Sequence, residues 1–310
     1  MKTSLFSVFA LALLLAAGCQ REIPAGTPAD GTAVDVTFNL SLQGIRTKAF
    51  SDGSQAKDLS ILVYAIRTDG PLYLEAVSKD VTGAFANSLT AEATLKLVRG
   101  ETYSIVFLAS SPNCKDFTVD KENATLTVGD GPANNEQRDA FYGLWSQKVE
   151  ADGNHEYSVE LKRPFAQINV LTTKEDYDTL GDNEIAIAGS AFTLKVPTVL
   201  HFLTGVADTE ETQTLGLNAM SSTTVDIPAY KDSYVYVGMN YVLAGDRTTT
   251  DLKMDVYRNQ NDCLFSLDIP NVPYQCNWRT IILGDIFCVD GKFSVTIVPD
   301  YLDDAELKLD

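Results

Sequence analysis

Histidine is scarce in this 310-residue sequence: His155 and His201 are the only two. A multi-histidine metal site is therefore excluded, and histidine acid–base chemistry has little to draw on. Positive charge is also short, with 24 Lys and Arg against 42 Asp and Glu, a net charge of −18. With no local basic stripe to interrupt that field, phosphate backbones are repelled and nucleic acid is not expected as a partner. G-x-S-x-G, H-E-x-x-H, a Walker loop, G-x-G-x-x-G after a strand and C-x-x-C are all missing. Their absence removes the enzyme and zinc classes that those motifs mark, so no catalytic residue, metal or cofactor is expected. No repeat with a period of about 20–50 residues is present, which speaks against propellers and solenoids.

What is present is 45% hydrophobic and 21% charged, enough apolar surface to fold. The length fits two domains of roughly 100–150 residues. Lys2 precedes an apolar run from Leu5 to Ala17 that is too short to span a bilayer, followed by small residues, which reads as a signal peptide over 1–18. The run ends in Leu15-Ala16-Ala17-Gly18-Cys19 and resembles the bacterial lipoprotein box, with Ala16 where Leu, Val or Ile is usual. That resemblance implies acylation of Cys19 and anchoring in outer-membrane lipid, each buried CH₂ contributing about 0.8 kcal/mol. No later run of 18 apolar residues offers a second membrane contact.

Residues 19–33 hold prolines, glycines and small residues without apolar periodicity, a lipidated tether. Val34, Val36, Phe38, Leu40 and Leu42 then alternate with polar residues, the signature of a strand with one buried face. Further strands are expected at 59–66, 72–77, 93–98, 103–109, 124–128, 157–161, 191–196, 223–227, 234–243, 252–257, 263–269, 278–287 and 293–298, with one short helix at 174–180. Many short strands bounded by turn residues indicate an all-β sandwich protein. Pro164 interrupts a long extended stretch from Glu156 to Thr172 and marks a crossing between sheets. Two β-sandwich domains, 34–163 and 164–310, are placed on either side of it. The polar connection 43–58 carries Arg46, Lys48 and Ser51-Asp52-Gly53, and a loop this long is a place for function or proteolysis.

The remaining chemistry reads as structural. His201 lies among apolar residues and His155 in a turn. Asp176, Asp178, Asp303 and Asp304 read as solvated acidic surface, and the EF-hand spacing fails at Asp176, Asp178 and Asp182. Tyr230, Tyr234, Tyr236 and Tyr241 suit strands, while Trp145 and Trp278 are candidates for stacking on sugars. Beyond Cys19 there are Cys114, Cys263, Cys276 and Cys288. One disulfide among Cys263, Cys276 and Cys288 is plausible in an exported protein, and four buried thiols are an equal alternative.

Taken together, the Cys19 box, the first alternating strand followed by Ile45-Arg46-Thr47-Lys48-Ala49-Phe50, Asp139-Ala140-Phe141-Tyr142-Gly143 and Leu161-Lys162-Arg163-Pro164-Phe165-Ala166-Gln167-Ile168-Asn169-Val170 resemble the fimbrillins of Bacteroidales, the type V pilins and their minor subunits. The resemblance implies two tandem transthyretin-like or immunoglobulin-like β-sandwich domains after a lipoprotein signal peptide, no enzymatic activity, and other fimbrial subunits, identical or paralogous, as partners. It further implies cleavage at Arg46–Thr47 by an arginine-specific protease, loss of the strand carrying Val34, Val36, Phe38, Leu40 and Leu42, and its replacement by a donor strand. Phe293, Val295 and Ile297 alternate in a C-terminal segment that is either that donor or the last strand of its own domain. An uncleaved anchor or tip subunit, and a surface glycan-binding lipoprotein, are the alternatives; a host protein or glycan ligand is left open.

Overall fold

The computed structural model describes residues 32–42, 53–66, 77–150, 155–182, 185–287 and the backbone of 293–298. The first half of the chain contributes β1 (Ala33–Leu42), β2 (Asp58–Ile66), β3 (Val77–Val81), β4 (Thr90–Val98), β5 (Thr102–Ser110), β6 (Phe117–Asp120), β7 (Thr125–Val128), β8 (Gly131–Pro132), β9 (Phe141–Lys148) and β10 (Glu156–Leu161). The second contributes β11 (Phe165–Thr173), α1 (Lys174–Asp182), β12 (Gly189–His201), β13 (Val206–Asn218), β14 (Tyr234–Leu243), β15 (Thr248–Asn259), β16 (Asp262–Tyr274), β17 (Arg279–Gly284) and β18 (Phe293–Val298).

These strands form four sheets: sheet I in the order β10-β1-β4, sheet II as β3-β2-β5-β9, sheet III as β14-β11-β17-β18, and sheet IV as β16-β15-β12-β13-β8 with β6 and β7 attached. Three apolar clusters hold them together. The first lies between sheets I and II, where Val36, Phe38 and Leu40 meet Ile61, Ile105 and Phe107. The second joins the other face of sheet II, through Leu62, Val106 and Leu108, to β7 and to Phe165, Leu171, Tyr241 and Ile281 of sheet III. The third lies between sheets III and IV, around Ile168, Phe192, Leu194 and Met254. Sheets II and III are thus covered on both faces. That is why Tyr103–Ala109 of β5 and Phe165–Thr172 of β11 are buried at every position, whereas β1 and β4 alternate. The protein is all-β, its sheets packed face to face.

Sheet membership changes between β10, in sheet I, and β11, in sheet III, across Pro164. The connection from β5 to β9, both in sheet II, reaches out to sheet IV and returns. Its β7 pairs with Val199–His201 of β12, and its β8 pairs with Leu215 and Gly216 of β13. A left-handed Asn134 (φ 56°), a conformation Asn tolerates, secures that crossing. The Asn134 Nδ2 donates to Asn218 O (2.7 Å) and Ser190 Oγ (3.2 Å), while its Oδ1 accepts from the Met239 amide (2.9 Å).

Several expected strands differ in the structure. Residues 223–227 form no strand: Thr224 makes one isolated bridge to Val235, and Val225 and Ile227 plug the second cluster. The strand expected at 278–287 ends at Gly284, and that expected at 191–196 runs from Gly189 to His201. The segment expected at 72–77 falls outside the described residues except for Val77, where β3 begins. The helix extends to Asp182 rather than Leu180. β6, β8, β9 and the acidic β13 had no counterpart among the expected strands.

Candidate functional site

β1 is the middle strand of sheet I. It pairs in parallel with β10 (Thr37 opposite Glu156 to Leu42 opposite Leu161) and antiparallel with β4 (Ala33 opposite Val98 to Ser41 opposite Thr90). Its alternation turns Val36, Phe38, Leu40 and Leu42 inward at 0%, 0%, 1% and 7% exposure, with Val34 packed at the margin. At roughly 1.5–3 kcal/mol per side chain, burying these four contributes on the order of 10 kcal/mol, an upper figure because the unfolded chain is already partly compact. The outward residues make weaker contacts: Asp35 to Lys96 at 3.2 Å, half-exposed, and Thr37 Oγ1 to Thr94 Oγ1 at 3.2 Å. The strand is therefore held by its inner face and by backbone pairing on both edges.

Phe38 is the anchor of that face. Its ring sits 5.2 Å from Phe107, 5.3 Å from Trp145 in an edge-on arrangement and 5.9 Å from Tyr157, with Trp145 and Tyr157 themselves 4.8 Å apart. The three rings come from β5, β9 and β10, so the cage spans both sheets of the sandwich. Beside it, Tyr103 is buried, which pushes its hydroxyl pKa up and keeps it neutral. The Tyr103 oxygen accepts a bond from the amide of Val98 at the end of β4 (3.1 Å), on the edge turned away from β1. Without β1, β10 and β4 would stand about two strand spacings apart, roughly 9–10 Å, each with an unpaired edge above an apolar floor.

A family model matches residues 26–309 of the chain. The chain belongs to DUF6562, a family of unknown function. No curated protein matches its sequence. Among solved structures, this DUF6562 chain is similar to a fimbrial assembly protein from Parabacteroides distasonis (13% identity, 86% of this chain and 96% of that one, TM-score 0.47). It is also similar to the fimbrial anchor protein Mfa2 from Porphyromonas gingivalis (11% identity, 86% and 97%, TM-score 0.45). A third likeness is to the tip fimbrial protein Mfa3 from the same organism (12% identity, 86% and 100%, TM-score 0.45).

In the DUF6562 chain, two segments quoted from the sequence, Asp139–Gly143 and Leu161–Val170, meet. Arg163, buried at 1% exposure, forks onto Asp139 (Nε to Oδ1 2.6 Å, Nη2 to Oδ2 3.0 Å), and its guanidinium lies 4.4 Å from the centre of the Phe141 ring. Tyr142 bridges Lys162, and Gly143 lies so close to Leu161 that an added Cβ would stand 2.5 Å from the Leu161 Cδ2. These contacts fix β9, which carries Trp145, against the end of β10, which carries Tyr157. They therefore set the cage geometry from outside it.

Other expected site residues have different fates. Cys19, Arg46, Thr47 and Cys288, with Asp303 and Asp304, lie outside the described residues. Cys263 is exposed and Cys276 half-buried, and the two are not bonded to each other. Trp145 cannot stack on a sugar, because it is 5% exposed inside the cage. An open groove of about 580 Å³ on the outer face of sheet IV, lined by Thr193, Lys195, Thr212, Asp251, Lys253 and Asp268, includes no aromatic side chain. Tyr236 and Tyr241 are wholly buried in the second cluster. His201 is half-exposed, its Nε2 3.1 Å from Asp208 Oδ1. β18, which carries Phe293, Val295 and Ile297, pairs antiparallel with β17 of its own sheet, Phe293 opposite Gly284 and Val298 opposite Arg279.

Asp176 is not solvated surface. It is 6% exposed and accepts from Thr172 Oγ1 (2.5 Å) and from the Phe287 amide (2.8 Å), while the Ile286 amide donates to Thr172 Oγ1 (3.2 Å). The turn of α1 thereby pins the segment that leads from β17 towards β18. Asp176→Ala should destabilise the fold by about 1–3 kcal/mol, the cost of orphaning a buried amide, with deuterium uptake rising first at Ile286 and Phe287. Unchanged uptake there would mean that the pin carries no load.

Proposed function

We propose that this DUF6562 chain is a structural subunit of a cell-surface fimbrium, exported as an outer-membrane lipoprotein acylated at Cys19. It joins other subunits, copies or paralogues, after cleavage at Arg46–Thr47 frees β1 to be exchanged for a donor strand. One observation carries this reading: the strand that precedes Arg46 is the middle strand of its sheet, with four buried side chains. Cutting the chain in 43–52 severs the covalent link from β1 to the rest, so only packing and backbone pairing hold it. Any strand supplying equal packing can then take its place, by the strand addition that exposed sheet edges invite. The role needs no cofactor and no catalytic group. An anchor subunit is the same chain left uncut, with Cys19 in the membrane. A glycan-binding role has less support, given the burial of Trp145 and the lack of rings in the sheet IV groove.

Mass spectrometry of the mature N-terminus on protein from intact cells tests the proposal. Chains beginning at Thr47 are expected in surface polymers. If every copy retains an acylated Cys19, exchange of β1 is excluded for this chain.

A further inference from the structure

The two halves of the molecule share one pattern of entry and exit. The chain enters the first half through β1 and leaves it through β10; it enters the second through β11, and β17 is the strand that closes sheet III against it. Within each half these two strands are parallel neighbours: Thr37 opposite Glu156 to Leu42 opposite Leu161, and Gln167 opposite Arg279 to Thr172 opposite Gly284. A parallel pair puts the point of entry and the point of exit at opposite ends of the shared ladder. We propose that the chain is built to carry tension along its length, with β1–β10 and β11–β17 acting as two shear clamps in series. The load itself, on a subunit held between the membrane and its neighbours, rests on the surface-subunit reading above; the clamps do not.

The mechanics follow from the register. A pull applied at Ala33 and at Leu161 slides β1 along β10, so the ladder bonds of the pair are strained together and none opens alone. In an antiparallel pair the same two points would lie at one end, and the bonds would open one after another. Both entry strands are also gripped on their other edge, β1 by β4 and β11 by β14. Sliding either one therefore breaks two ladders at once. It also drags apolar side chains out of packed cores: Val36, Phe38 and Leu40 in β1, Ile168 and Val170 in β11. Resistance to force is set by the unfolding barrier and not by equilibrium stability, which makes the direction of the pull decisive.

Between the clamps there is no slack. Only Lys162, Arg163 and Pro164 separate Leu161 from Phe165. Lys162 exchanges backbone bonds with Tyr142 (2.8 and 2.9 Å), and Arg163 forks onto Asp139. Tension leaving β10 is handed directly to β11. At the far end β18 is attached differently. It is an edge strand antiparallel to β17, with Val298 opposite Arg279, at the end of sheet III where β11 begins. A pull on Val298 peels it pair by pair until the load meets Ile286 and Phe287, whose amides are held by Thr172 at the end of β11 and by Asp176 in α1. Beyond that pin, the load is the shear of β17 along β11. β18 thus yields first, releasing at most about 40 Å of chain between Phe287 and Val298.

Optical-tweezers extension of the uncut full chain, held ahead of Ala33 and at Asp310, tests the proposal. A small early yield of β18 is expected, then two high-force ruptures, each releasing on the order of 400 Å of chain. The chain is next held by click-reactive residues placed at Ser41 and Glu160, which stand opposite each other across β1 and β10 at the exit end of the pair. That pull opens the first clamp as a zipper, and its rupture force should fall severalfold while the length released stays on the order of 400 Å. Ser41 is half-buried and Glu160 exposed, so the labels leave the core intact, and the labelled chain pulled end to end should rupture as the unlabelled one does. Equal rupture forces in the two geometries overturn the clamps. So does end-to-end extension with no rupture above the force that peels β18. Neither result touches the surface-subunit reading, which the mature N-terminus decides. A chain that resists shear but is absent from the cell surface overturns the load-bearing role and leaves the clamps standing.

Discussion

Phe38→Ala is expected to lower the unfolding free energy by about 3–5 kcal/mol, measured by denaturant titration, because it empties the middle of a cage that cannot collapse. Phe107, Trp145 and Tyr157 belong to three strands in two sheets, each held in place by its own backbone pairs. Closing the void would require moving sheets, not side chains, so most of the cavity persists. Thr37→Ala and Asn39→Ala, on the outer face of the same strand, should cost under about 0.5 kcal/mol. The contrast within one strand matters more than either value. Equal losses at Phe38 and Asn39 would mean that β1 is held by backbone pairing and not by its inner face, and a donor strand would then need no side-chain match.

Asp139→Ala is the second large effect, with an expected loss of about 3–5 kcal/mol. It leaves the Arg163 charge in a site with 1% exposure and without the carboxylate that receives both of its forked bonds. The double replacement Asp139→Leu with Arg163→Met should recover most of that loss. It removes both charges together, and a thioether packs well on the Phe141 ring. If the double variant is as unstable as the single one, the junction between β9 and β11 depends on the ion pair itself and not on avoiding an orphaned charge. Both variants should also shift the fluorescence of Trp145, since the junction positions β9.

How much of this was legible in the residues depended on whether one face or two were covered. β1 announced itself through strict alternation, because its outer face meets water. β5 was legible as an apolar run, since sheet II has cores on both sides, whereas β11, whose buried Gln167 and Asn169 break any such run, was seen only as part of the extended stretch around Pro164. β13 was not: Val206–Thr212 is mostly polar and exposed, so its strand state comes from pairing with β12 and not from a pattern of its own. Residues 223–227 misled for the opposite reason, since alternating Val225 and Ile227 fill a gap in the second cluster without joining a ladder. The cage was half readable. Phe38 stood out, and Phe141, Gly143 and Trp145 in alternation could have signalled β9, but that Trp145 and Tyr157 converge on Phe38 depends on long-range register. Asp176 looked like surface beside Asp178, because burial of a carboxylate by Thr172 and the distant amide of Phe287 leaves no local trace.

The central claim is that β1 is exchangeable once the chain is cut after Arg46. Light scattering of the purified chain, before and after treatment with an arginine-specific protease at high protein concentration, tests it most directly. The account predicts a monomer before cleavage and, after it, polymers that have shed the fragment containing Val34–Leu42. A cleaved chain that stays monomeric and keeps that fragment, even with excess sister subunits present, would contradict it.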